Sequence, residues 1–164
     1  GTADEHYRME AWEFLLAGGG LFNNLDYSFA VGHEDGTYQY PPTQPGGGNP
    51  GFRRQMRFLK DFIHSFDFVK MRPAREVIRE VLPADSRCQV LAETGKQYAA
   101  YFKGAAGFVF SIDLAAGNYR VYWHDAARGQ EGSPATLSHP GGPARLEVPG
   151  NLNECALKIV RAAE

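Results

Sequence analysis

The sequence is poor in cysteine. Its two, Cys88 and Cys155, are too few for a disulfide framework or a zinc cluster. Both fall in segments that read as strands, which leaves two readings: buried free thiols or one disulfide. An excess of one charge is also lacking. Lys and Arg number 17 against 19 Asp and Glu, a formal net charge of −2, which argues against a nucleic-acid partner. No apolar run approaches the ~20 residues that span a bilayer, which argues against a membrane partner. The opening GTADEHYR has neither the basic n-region nor the apolar h-region of a signal peptide. There is no GxGxxG, no P-loop and no G-x-S-x-G elbow. The histidines are scattered, and only His33-Glu34-Asp35 gathers metal-ligand types. It lacks the His pair of a zincin helix and the spacing of an EF-hand loop, so neither a metal nor a cofactor is assigned.

Aromatic residues, in contrast, are plentiful, with 8 Tyr, 11 Phe and 2 Trp. Flat rings build cores, and they also build surfaces on which sugars stack. Near the N-terminus Thr2 and Glu5 fit a capping box. Met9, Trp12, Leu15 and Leu16 recur at helical spacing, and Gly18 supplies a stop, so a helix is expected over 4–17. The run 21–29 reads as a strand. The stretch 40–51, YPPTQPGGGNPG, excludes regular structure and reads as a linker or a long loop. Asn49-Pro50 opens a second helix over 49–66, with Phe52, Met56, Leu59, Ile63 and Phe66 at steps of four, three, four and three. Arg53, Arg54, Arg57 and Lys60 lie mostly off that stripe and read as a solvated face. A short helix is expected over 74–82, ended by Pro83.

After Pro83 the period changes to two. Strands are expected over 88–92, 98–102, 108–114, 119–124, 145–148 and 155–161, with a weak one near Thr136-Leu137. Short antiparallel strands at this spacing suggest a small β-sandwich. The fold class is therefore α+β, divided as 1–83 (helix, strand, loop, helix) and 84–164 (sandwich).

The stretch 18–40, GGGLFNNLDYSFAVGHEDGTYQY, is where a site is expected: an element end followed by a polar, glycine-punctuated loop. Asp26 is the best-placed acid, beside Asn23, Asn24 and Tyr27. Glycoside hydrolysis needs two acids ~5–10 Å apart, and one acid is not a pair. Glu34 and Asp35 read as solvated loop acids.

Taken together, MEAWEFLLAGGGLFNNLDYSF, PPTQPGGGNP, RRQMRFLKDFIHSFDFVKMRP, YAAYFKG, LAAGNYRVYWHDAARG and CALKIVR carry a resemblance. They resemble the C-terminal part of bacterial glycoside-hydrolase-like proteins, a (β/α)8 barrel followed by a β-sandwich of the collagen-binding type. The resemblance implies that 4–17 is like the seventh barrel helix, 21–29 the eighth strand and 49–66 the eighth helix. It also implies an extracellular or periplasmic setting. A barrel needs ~200 residues or more. The catalytic carboxylates of such barrels follow strands that would lie upstream of Gly1. The expectation is a C-terminal fragment of a carbohydrate-acting hydrolase, inactive alone and with no catalytic residue assigned. Asn24, Asp26, Tyr27 and His33 would line the sugar-facing mouth of the complete barrel.

Two alternatives belong to other classes. One is a non-catalytic carbohydrate-binding module, with Tyr101, Tyr122 and Trp123 as candidate stacking rings and Tyr122 the best placed. The other is a structural or interaction sandwich. Trp12, Leu16, Phe52, Met56, Leu59 and Ile63 form stripes that need cover, so an oligomer, or contact with the missing barrel portion, is expected through residues 1–66.

Overall fold

The structure, a computed structural model, describes residues 3–23, 26–39 and 49–162. Helix α1 (Asp4–Leu16) starts with Ala3 at its N-cap, without a side-chain cap. The expected capping residue Thr2 lies outside the described residues. The helix stops where expected: Gly18 takes φ +91°, and a Cβ there would meet Pro73 Cγ at 2.8 Å. Only glycine fits that left-handed stop beside the proline ring.

Helix α2 (Pro50–His64) opens as read, with Pro50 in its first turn and the Asn49 side chain accepting from Phe52 N at 2.8 Å. The same Asn49 amide donates to Asp4 Oδ1 at 2.8 Å, tying the two helix starts together. The last turn closes on Ser65, whose hydroxyl donates to the Phe62 carbonyl.

The strands are β1 (Arg72–Pro73), β2 (Arg87–Glu93), β3 (Gln97–Lys103), β4 (Val109–Leu114), β5 (Gly117–Asp125), β6 (Ala135–His139), β7 (Gly142–Glu147) and β8 (Glu154–Arg161). Six form an antiparallel sheet in the order β1-β2-β3-β8-β5-β6, while β4 and β7 pair as a second sheet. The chain is thus an α+β protein with two α-helices among its described residues. Phe110, Ile112 and Ala144 of the small sheet share one core with Val90, Tyr98, Phe102, Val121 and Leu157 of the large one. The opposite face of the large sheet, through Leu91, Ala99, Tyr101 and Ala156, carries both helices. Strand β3 is therefore covered on both faces, which is why six of its seven residues are buried.

Three expectations are corrected here. The described part of 21–29 is not a strand: Leu21 is 78% exposed, Phe29 is 52% exposed, and the segment's pairing is limited to isolated bridges, with Asp26 in one and Ala30 joined to His33 in another. The Asp26 carboxylate takes both the amide and the hydroxyl of Ser28, an alternative to ladder bonding that Asp and Ser favour. The expected helix over 74–82 is a single 3-10 turn, Arg75–Val77. Ala74, Val77 and Ile78 face the sandwich core and Ile78 bridges Ile112, so the segment runs along the sheets instead of coiling. Segment 72–82, on the helical side of the expected 83/84 division, thus contributes to sheet and core. Finally, Trp12, Leu16, Phe52, Leu59 and Ile63 are buried within the single chain, so these side chains need no second molecule to cover them.

Cys88 and Cys155 are both free and buried. Each pairs in register with Phe102, from opposite sides of β3. Two strand spacings, about 9–10 Å, separate them, beyond the span of a disulfide. Burial pushes both thiols up to about 12, so neither is a nucleophile at neutral pH.

Candidate functional site

A cavity of about 760 Å³ opens between α2, the turn after α1 and the stretch that leads into β1. Its floor is the outer flank of the α2 stripe: Phe52, Met56, Leu59 and Ile63. Leu21, Phe22, Phe68 and Val69 form the walls, and three of these are strongly solvent-exposed, Leu21 at 78%, Val69 at 67% and Phe68 at 39%. Lys60, His64 and Arg72 stand along it, and Asn23, Asp26 and Arg53 close one end. Apolar clusters of this kind on a soluble surface mark binding sites.

The polar end is built around Arg53. Its Nη1 donates to Asp26 Oδ2 at 2.9 Å and to Ser28 Oγ at 2.7 Å, and Nη2 donates to the Gly36 carbonyl at 3.1 Å. The guanidinium also lies over the Phe29 ring, 5.0 Å from its centroid. One side chain on α2 thus pins the whole 26–36 loop. Burial by itself would raise the Asp26 carboxyl. The hydrogen bonds from Ser28 and Arg53 outweigh it and hold the group below the ordinary carboxylate range. An acid with a lowered pKa and three donors in place is an anchor, unsuited to donating a proton at neutral pH. Arg53 is therefore not part of a solvated face, contrary to the expectation from the helical stripe. A cation in the first turn of α2 opposes the helix dipole, and that mismatch was the available signal that Arg53 has an anionic partner.

His33 sits in an exposed turn, its Nδ1 3.1 Å from Thr37 Oγ1 and its ring 5.4 Å from that of Tyr38. Glu34 accepts from Gly32 N, and Asp35 from the amide and hydroxyl of Thr37. These bonds, first the Gly32 amide and the Thr37 hydroxyl, lower both carboxyls. Among the described residues no group of three His, Cys, Asp or Glu comes together as a metal site. Tyr27 is half-buried. Asn24 lies outside the described residues. Of the expected set that is described, only Asp26 lines the groove.

Tyr122 is elsewhere, half-buried on β5 on the helix-facing side of the sheet, with Lys158 Nζ 5.6 Å from its ring centroid. Tyr101 is corrected: fully buried and stacked on Trp12, it offers no face to a sugar. Trp123 packs between Phe102 and Phe110 in the sandwich core. The planar exposed ring set that a sugar-stacking face on β3 and β5 requires is therefore not formed by these three.

A second structural feature escaped the sequence altogether. Arg8 of α1 lies buried against Glu154 at the start of β8, donating from Nε to Oε1 at 2.8 Å and from Nη2 to Oε2 at 2.7 Å. Its Nη1 donates to Gln55 Oε1 of α2 at 2.8 Å. One guanidinium thus joins both helices to the sheet.

No family model matches this sequence, and no curated protein matches it. Comparison of folds with solved structures does find counterparts. A structure described as a glycoside hydrolase superposes over 99% of this chain with a TM-score of 0.68 at 16% identity. The fold is one found in glycoside hydrolases. A glycoside hydrolase of family 5 from Bacteroides vulgatus superposes over 70% of the chain, with a TM-score of 0.55 at 18% identity. The chain spans 38% of the first structure and 25% of the second. The resemblance to glycoside-hydrolase-like proteins thus holds at the level of fold.

Proposed function

We propose that this chain is the C-terminal part of a carbohydrate-active, glycoside-hydrolase-like protein, and that the groove along α2 receives further polypeptide of that protein. The reading rests on one observation above the others: the fold match runs over nearly the whole chain yet takes up little more than a third of its counterpart. The exposed Leu21, Val69 and Phe68 lie along that groove, where the chain has left large apolar side chains without cover. In this reading 1–83 is like a barrel end and 84–164 an appended sandwich. Asn24, Asp26, Tyr27 and His33 belong to the sugar-facing side of the whole. A carbohydrate-binding module built on the sandwich is the weaker reading, because two of its three candidate rings are packed in cores.

The chain alone is expected to hydrolyse nothing. Asp26 is tied to Arg53 and Ser28, and Glu34 and Asp35 are tied within their own turn. An assay with aryl glycosides should read background. Turnover that disappears in Asp26→Asn would overturn this, because it would make Asp26 a working acid.

A further inference from the structure

The groove along α2 is cationic as well as apolar. Lys60 lies on α2 and Arg72 on β1; both are exposed and both line the groove. Arg72 Nη1 donates to the carbonyls of Val69 and Met71, at 3.0 and 2.8 Å. Among the described residues neither cation has an acid as partner. The one acid among the described lining residues is Asp26, and its carboxylate is already taken by Ser28 and Arg53. Just off the groove the pattern differs: Arg57 holds Asp61, and Lys70 holds Asp67. The two cations on the rim are thus left over in a chain whose formal net charge is −2.

The shape of the groove selects the form of its occupant. Its floor runs along α2 from Phe52 to Ile63, about 16 Å at roughly 1.5 Å of rise per residue. A helix flank offers rows of side chains and no backbone ladder. The sheet edge beside it, β1, is two residues long, and one of them is proline. Another helix fits such a surface better than a strand does. Charge selects the flanks of that helix. A basic flank would place like charge beside Lys60 and Arg72 as water leaves the interface, whereas an acidic flank would complete two ion pairs. A second copy docked groove to groove would bring cation to cation, which makes it the weaker occupant.

We propose that the groove takes an amphipathic helix of the remaining polypeptide whose apolar stripe is edged by Asp or Glu, and that these acids meet Lys60 and Arg72. This rests on the reading of the groove as an interface and adds to it the chemistry of the partner.

The test uses two labelled model helices of about 18 residues, five turns, with the same leucine stripe, one edged by Glu and the other by Lys. Each is titrated with the full chain and followed by fluorescence anisotropy. At low salt the Glu-edged helix should bind about tenfold more tightly than the Lys-edged one. At about 0.5 M salt the difference should shrink to about twofold. Lys60→Glu with Arg72→Glu should reverse the preference. Lys60→Glu alone, at an exposed position on α2, should reduce it at least threefold and stands in if the double variant fails to fold. Equal binding of the two helices, or a preference that Lys60→Glu leaves unchanged, would overturn the proposal and leave the groove standing as an apolar interface. If neither helix binds, or if Val69→Asp with Leu21→Asp weakens neither, the groove is no interface and both readings fall.

Discussion

Replacing Arg8 by alanine should lower the unfolding free energy by about 3–5 kcal/mol. The cost comes from what remains behind. Glu154 is 5% exposed, and without Arg8 the cation left beside its carboxylate is Lys103, 3.7 Å away and also engaged with Glu5. Gln55 loses its partner at the same time. A stability of about 5–15 kcal/mol is ordinary for a domain, so a loss of this size is a large part of the whole. The double variant Arg8→Met with Glu154→Leu removes both charges and fills the space with carbon. It should recover most of the loss, since a buried pair replaced by apolar groups is often neutral or better. Urea unfolding at unchanged slope reads both effects. A loss below about 1 kcal/mol for Arg8→Ala would show that the pair behaves like an exposed one.

Trp12→Ala should cost a similar amount, about 3–5 kcal/mol, for a different reason. The Trp12 ring lies parallel to that of Tyr101 at 5.5 Å and tilted to that of Phe62 at 5.1 Å, joining α1, β3 and α2 in one stack. Truncation leaves a cavity in the layer that seats the helices on the sheet. Trp12→Phe keeps part of the stack and should cost clearly less. Calorimetric melting of the two variants checks the order. If Trp12→Ala melts with the parent, the helices are not held to the sheet by this stack.

The parts of the fold legible in the sequence were those with a local cause. The α2 stripe from Phe52 to Ile63 and the Asn49-Pro50 start are written in spacing and capping chemistry, and both stand in the structure. So do the β2–β3 hairpin and the alternation in β4 and β5. What could not be read was anything decided by distant partners. Arg8 and Glu154 are 146 positions apart, and no periodicity announces their pairing. The stretch 21–29 has the composition of a strand, but a strand exists only where another strand offers a ladder, and among the described residues none of the sheet strands pairs with its described part. The site fared likewise. The sequence draws attention to Asp26, but the groups that hold it include Arg53, on another element and 27 positions away. The two tryptophan-lined environments, one under the helices and one inside the sandwich, differ only by which face of the large sheet each ring meets.

Light scattering on the isolated chain tests most directly the claim that the α2 groove is an interface. With Leu21, Phe68 and Val69 uncovered, the chain should run heavier than a monomer as concentration rises. Val69→Asp together with Leu21→Asp should return it to monomer mass without lowering its melting temperature, because both side chains are already in solvent. A parent chain that stays monomeric across the whole concentration range would contradict the account.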